Sequence, residues 1–211
     1  MTEIIISIEE KLDQQLEKVR DEFRERFMLE KDQHREINQI NEKSPGKDKS
    51  RYRILVASDS MMNQIDETRL SKKGDVKVFC WGGCSIPQMR EKIESLLEKD
   101  YYDFVILHVG TNDSTRRSSE DMLVEMIQLK QFVETMYGSK VIVSNIIERT
   151  DDGKANLTIK RFNEKLARLN IPIMDNANIT SKYLGKKGHH LTSPYGCGRL
   201  AKNLISLIRK L

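Results

Sequence analysis

Arg53-Ile54-Leu55-Val56-Ala57-Ser58-Asp59-Ser60-Met61 decides how the rest of the chain reads. An unbroken apolar run, bounded by a basic residue and by a polar turn, has the pattern of a strand buried on both faces. Similar runs recur at Val76-Lys77-Val78-Phe79, Phe104-Val105-Ile106-Leu107-His108-Val109, Val141-Ile142-Val143 and Ile171-Pro172-Ile173-Met174. Amphipathic helical patterns follow them in turn: Met62 to Leu70, Pro87 to Leu97, Ser119 to Met136 and Asn156 to Leu169. A last one runs from beyond Pro194 to Leu211, with Leu200 and Leu204 on one side. Strand and helix in alternation require right-handed crossovers and a parallel sheet covered on both faces. The expectation for residues 52–211 is therefore an α/β fold, a flavodoxin-like three-layer sandwich with a five-stranded parallel sheet. Ligands of such sheets bind beyond the carboxyl ends of the strands, so the loops after the strands should carry the chemistry.

Upstream the pattern is different. Residues 3–42 contain neither Gly nor Pro, and Ile5, Ile8, Leu12, Leu16, Val19, Phe23 and Phe27 recur at steps of three and four. Both steps return to one face of a helix. Eleven residues in three turns favours a straight or slightly right-handed coil over a heptad supercoil. One apolar stripe on an isolated helix cannot stay in water, so residues 1–42 are expected to form a coiled coil by self-association, as a dimer; folding back on the globular domain is the alternative. No N-cap precedes Ile4, which leaves room for the chain to be a piece of a longer protein. Pro45 and Gly46 end the helix in a short basic linker, residues 43–51.

The 211 residues are 38% hydrophobic and 32% charged, against about 25% charged in an average domain. The net +4 divides unevenly: residues 1–42 carry seven basic and twelve acidic side chains, net −5, and the remainder is +9. No apolar run reaches the ~18 residues of a membrane span, and no secretory signal is visible. With the odd set Cys80, Cys84 and Cys197, this reads as a reduced, intracellular and cytoplasmic protein. A Walker loop, a G-x-G-x-x-G turn and a C-x-x-C pattern are all absent, and the cysteines lack partners for a four-ligand metal site, so no cofactor or metal is expected.

Four loops remain as candidates. They are Ala57-Ser58-Asp59-Ser60-Met61, Trp81-Gly82-Gly83-Cys84-Ser85, Gly110-Thr111-Asn112-Asp113, and Gly188-His189-His190-Leu191-Thr192 before the last helix. Ser60 lies where strand gives way to helix, which exposes its hydroxyl and aims the first helical amides at a developing anion. A serine needs a base. Of the histidines, His34 lies on the coil and His108 inside an apolar strand as a core residue, leaving His189 and His190. In order, spacing and placement the four blocks resemble those of the SGNH (GDSL) hydrolases, over residues 52–211. That resemblance selects His190 as base and Ser60 as nucleophile. It implies an oxyanion hole from the backbone N–H of Ser60, the backbone N–H of Gly83 and the side-chain amide of Asn112. Asn112 could instead cap the following helix, and Asp113 is expected to bond the amides of its own turn.

Two departures from the family pattern stand out. Ser58 replaces the first-block glycine, which a turn tolerates if φ stays negative. Lys187 stands three residues before His190, where the family has an aspartate that fixes the imidazole. Either a backbone carbonyl or a distant carboxylate is then expected to orient His190 in a Ser–His dyad, and Asp175, at the end of the fifth strand, is the candidate carboxylate.

Coil, linker and hydrolase domain together resemble the esterase-containing first-open-reading-frame protein of chicken-repeat-type LINE retrotransposons. That resemblance implies a partner in a second copy of the chain and, besides an acyl ester substrate, RNA or anionic membrane lipid. Lys43, Lys47, Lys49, Arg51 and Arg53 are the candidate nucleic-acid contacts, since clustered cations are the footprint of phosphate binding. The leading reading is a self-associating serine esterase. Its rival is an RNA-binding assembly protein built on a weakly active or inactive scaffold.

Overall fold

The computed structural model of the chain describes residues 51–71 and 74–211. The helix expected over residues 1–42, and all of the linker except Arg51, lie outside the described residues. The strands are β1 (Arg53–Ser58), β2 (Asp75–Cys80), β3 (Phe104–His108), β4 (Lys140–Ser144) and β5 (Ile173–Met174). The helices are α1 (Glu67–Ser71), α2 (Ile86–Leu97), α3 (Ser119–Tyr137), α4 (Gly153–Ala167) and α5 (Tyr195–Ile208). All pairings are parallel, in the order β2-β1-β3-β4-β5. This is the doubly wound order, and its direction reverses between β1 and β3, where the crevice for a ligand opens.

Alternate residues of each strand face opposite layers. On one side Ile54, Val56, Ile106 and Ile142 form a core with Leu70 of α1 and with Leu200, Leu204 and Ile208 of α5. On the other, Leu55, Val105, Leu107, Val141 and Val143 are fully buried or nearly so. The apolar stripes of α2, α3 and α4, including Met89, Ile93, Met122, Met126 and Phe162, are equally buried. Burial of both faces explains why these strands read as continuous apolar runs.

Two elements depart from the sequence reading. The helical pattern from Met62 breaks into a 3-10 turn, Ser60–Met62, and the short α1. Asp66 makes the break, because its carboxylate accepts the Thr68 amide (3.0 Å) and hydroxyl (2.6 Å), a local turn that competes with helix. The fifth strand shrinks to Ile173–Met174. Pro172 has no amide to donate, although its carbonyl accepts the Val143 amide at 3.1 Å.

Candidate active site

Four strand ends converge at the crevice. At the end of β1, Ser58 is fully buried, with its hydroxyl donating to the Asp59 carbonyl (3.0 Å). No non-glycine residue among those described has positive φ, so serine serves there in place of glycine. The Asp59 amide donates to the His108 carbonyl (3.0 Å), extending the β1–β3 ladder past the strand, and its carboxylate caps the next turn by accepting the Met61 amide (3.0 Å). Ser60 is thereby set at the head of a 3-10 turn, half-buried.

The second and third blocks are fastened to each other. Gly83 has φ +73°, a left-handed conformation open to glycine at little cost, and sits in an exposed turn. The Asn112 side-chain amide donates to the Cys84 carbonyl (3.0 Å), one residue from Gly83. Asn112 makes no side-chain cap bond to the turn that follows it, which removes the capping alternative. One of its two amide hydrogens remains for another acceptor. The Asp113 carboxylate accepts from its own backbone amide and also accepts the Ile86 amide (3.1 and 3.3 Å), anchoring the start of α2 across 27 residues.

The histidine block folds as a loop closed by an antiparallel bridge between Leu184 and Leu191. The Gly185 amide donates to the His190 carbonyl (2.7 Å). Ser60 and His190 line one cavity of about 270 Å³, together with Gln64, Leu191 and Cys197. His190 is exposed, and its ring makes no hydrogen bond among the described residues. Partial burial, the neighbouring His189 and Lys187 lower its pKa, opposed by the charges of Asp59 and Asp151. The net direction favours the neutral ring, the form that a general base needs. A larger cavity of about 490 Å³ lies beside α4, lined by Asn145, Arg149, Asn163 and Asn176 among others; it contains no histidine.

His189 is more than a solvated loop residue. Its Nδ1 lies 2.9 Å from the Lys187 carbonyl and 3.0 Å from Asp151 Oδ2, and its ring packs on His190 with centroids 4.3 Å apart. Asp175 is exposed and accepts from Asn145 Nδ2 (3.3 Å) and the Ala177 amide (2.9 Å). Asp151, in the loop after β4, has no counterpart in the sequence reading. The pair Asp151-Asp152 held the signal, since one aspartate suffices to cap α4 and Asp152 does so, accepting the Ala155 amide at 2.9 Å.

Of the candidate phosphate contacts, Arg51 is exposed. The Arg53 guanidinium is engaged by Asp100 (2.9 Å) and Asp75 (3.5 Å) and lies over the Tyr102 ring. No three potential metal ligands cluster among the described residues, and no helix there is long and apolar enough to cross a membrane. Cys84 and Cys197 are buried, and burial pushes the Cys80 and Cys84 thiols up to about 11.

Two buried groups beneath the site titrate in opposite senses. Burial pushes Asp59 up to about 6, with the Met61 amide, Thr111 and His190 working against it. Burial pushes His108 down to about 4. His108 is half-satisfied: Nδ1 pairs with Ser144 Oγ at 2.7 Å, while Nε2 has no partner among the described residues. The Asp59 contribution to stability is complete below its unfolded value of 3.8 and is lost as pH rises through about 6. The His108 contribution is complete above 6.5 and is lost as pH falls through about 4. Each shift corresponds to about 3 kcal/mol, so the two nearly cancel in the wild type. Urea unfolding at about pH 4 and about pH 6.5 should expose them. Relative to wild type, His108→Gln is expected to lose about 3 kcal/mol on going up in pH, and Asp59→Asn to gain as much. If both variants keep the wild-type slope, the assignment of these groups is wrong.

The sequence matches no protein-family model and no curated protein. Solved structures do match. A member of the lipolytic G-D-S-L family from Veillonella parvula is 21% identical, covering 75% of this chain and 98% of its own, with a TM-score of 0.62. A GDSL-like lipase from Bacteroides thetaiotaomicron is 15% identical, covering 84% and 97%, with a TM-score of 0.65. A psychrotrophic esterase from Pseudoalteromonas, solved with monoethylphosphonate as inhibitor, is 14% identical, covering 74% and 96%, with a TM-score of 0.57. The five-stranded parallel sheet is thus the fold of the G-D-S-L hydrolases.

Proposed function

We propose that the domain is a serine esterase that hydrolyses short-chain acyl or lipid esters through an acyl-enzyme. The observation that carries this reading is that Ser60 and His190, from opposite ends of the domain's sequence, line one cavity. Ser60 Oγ attacks the ester carbonyl carbon while His190 takes its proton. The resulting oxyanion is held by the Ser60 and Gly83 amides and by the free amide hydrogen of Asn112. His190 returns the proton to the departing alcohol as the C–O bond breaks, and water repeats the sequence on the acyl group. A short-chain nitrophenyl ester supplied to wild type and to Ser60→Ala tests the reading: equal rates in both would refute it.

Lys187 makes the enzyme a slow one. A carboxylate in its position fixes the tautomer of the base and stabilises the imidazolium, at a value of about 10⁴ in kcat in complete triads. Lys187 is exposed and contributes positive charge to the surroundings of His190. Lys187→Asp is therefore expected to raise kcat about tenfold to a hundredfold. An unchanged or lower kcat in a folded variant would show that the missing carboxylate does not limit the reaction.

The reading extends to a self-associating, intracellular protein of the retrotransposon type, supported by the apolar stripe of residues 1–42 and by the architectural likeness described above. An RNA or anionic-lipid partner would fall to Lys43, Lys47, Lys49 and Arg51, since Arg53 is already paired with two aspartates.

A further inference from the structure

We propose that Asp151 and His189 together position the imidazole of His190, in place of the carboxylate absent three residues before it. The assignment rests on the esterase reading for its catalytic meaning, but its geometry is independent of it.

Asp151 is built into place. Arg149 grips it with a two-pronged bond, Nε to Oδ1 at 2.7 Å and Nη2 to Oδ2 at 2.6 Å. Such paired contacts fix direction as well as distance. The same guanidinium donates through Nη1 to the Thr111 carbonyl at 3.4 Å, so it spans from the Asn112 loop to the loop after β4. Asp152 relieves Asp151 of the capping role on α4. Arg149 also holds the Asp151 carboxyl well below the usual carboxylate range, so it stays ionised wherever the ester assay can be run.

The histidine loop is pressed onto this clasp. The Thr150 amide donates to the Gly188 carbonyl at 2.8 Å. Gly188 has φ +71°, and a Cβ there would stand 2.5 Å from Thr150 Oγ1 and 2.8 Å from the Asp151 amide nitrogen. No other residue allows so close an approach. It brings His189 Nδ1 to Asp151 Oδ2 and to the Lys187 carbonyl. Both are acceptors, so Nδ1 carries the proton and the tautomer of His189 is set. The orientation of the ring is set with it.

His190 then rests against a fixed surface. With no hydrogen bond to its own ring, its orientation comes from packing, and the ring it packs on, at 4.3 Å and 56°, is that of His189. The largest charge effects on it come from Asp59 of the β1 turn and Asp151 of the β4 loop, which favour its protonation, and from Lys187 and His189 of its own loop, which oppose it. When His190 accepts the Ser60 proton, Asp151 is the negative charge behind the stack. An opposite charge near an imidazolium favours it.

The test uses the full chain, with a nitrophenyl ester and with NMR titration of the His190 ring. Asp151→Asn keeps an acceptor for His189 but removes the charge. It is expected to lower kcat about tenfold at unchanged KM. It should also move the acidic limb of kcat/KM, and the His190 titration, about half a unit lower. A merely structural loss would scale the rate without moving the titration. His189→Phe keeps a ring under His190 but gives up the bond to Asp151, so it should lose several-fold in kcat, less than the roughly tenfold or more of His189→Ala. An unmoved His190 titration in Asp151→Asn overturns the positioning role while leaving the esterase reading intact. Loss in His189→Phe as complete as in Ser60→Ala also overturns it, by making His189 the base. If wild type hydrolyses no ester yet the titration shifts as expected, the esterase reading fails and the positioning stands.

Discussion

Ser60→Ala is expected to lower kcat/KM for a short-chain nitrophenyl ester by about 10²–10³, less than the loss of a serine from a complete triad. There the nucleophile is worth about 10⁶ and the carboxylate by itself about 10⁴. Members of a triad act as a unit, so a site with Lys187 in the carboxylate position has already given up most of what the serine could lose. What remains is about 10² from those two figures, raised by whatever the fixed charge of Asp151 restores. The floor of the variant is set by the oxyanion donors, which Ser60→Ala leaves in place because the Ser60 donor is a backbone amide. His190→Gln should fall to the same floor, and the double variant should fall no further. A drop in Ser60→Ala with none in His190→Gln would break the dyad.

How much of this was legible beforehand differs from element to element. β1, β3 and β4 could be read because strands buried on both faces demand apolar runs, and Ile54 to Ala57 or Val141 to Val143 leave no alternative period. β2, at the sheet edge with Asp75 and Lys77 exposed, shows instead in the alternation of Val76 and Val78. The short α1 and the two-residue β5 were misjudged for local reasons, the Asx turn of Asp66 and the missing amide of Pro172. The site blocks stood out because three of them fall at strand ends and the fourth just before the last helix. Ser60 and His190 line one cavity through the topology of the sheet, which alternation alone predicts. What the site lacks in sequence is the surroundings of His190. Asp175 sits at the end of β5, as a substitute carboxylate would, yet it is exposed and spent on Asn145 and Ala177. Asp151 reaches His189 through a tertiary contact between two loops, and no spacing along the chain encodes the close approach of Gly188 that makes it possible. The second partner of Asp113, the Ile86 amide, was likewise hidden because it lies 27 residues away.

Asn112→Ala is expected to cost about 10²–10³ in kcat, or ~2.7–4 kcal/mol, at nearly constant KM. The side chain has two jobs in the structure, and the prediction turns on separating them. One hydrogen of its amide holds the Cys84 carbonyl and with it the turn carrying Gly83. On the proposed mechanism the other meets the oxyanion, which exists only after Ser60 has attacked, so its loss should appear in kcat. Removing the Cys84 bond costs about 1 kcal/mol of stability, or a few degrees in Tm for a domain of this size. Asn112→Asp separates the two jobs further. A carboxylate can donate to neither the Cys84 carbonyl nor the oxyanion, and it places negative charge where negative charge develops, so its kcat should lie below that of the alanine variant. Structural loosening of the Gly83 turn alone predicts the opposite, equal rates in alanine and aspartate variants that track their Tm. If Asn112→Ala stays within about threefold of wild type, Asn112 is a strut of the Gly83 turn and the oxyanion hole consists of the Ser60 and Gly83 amides.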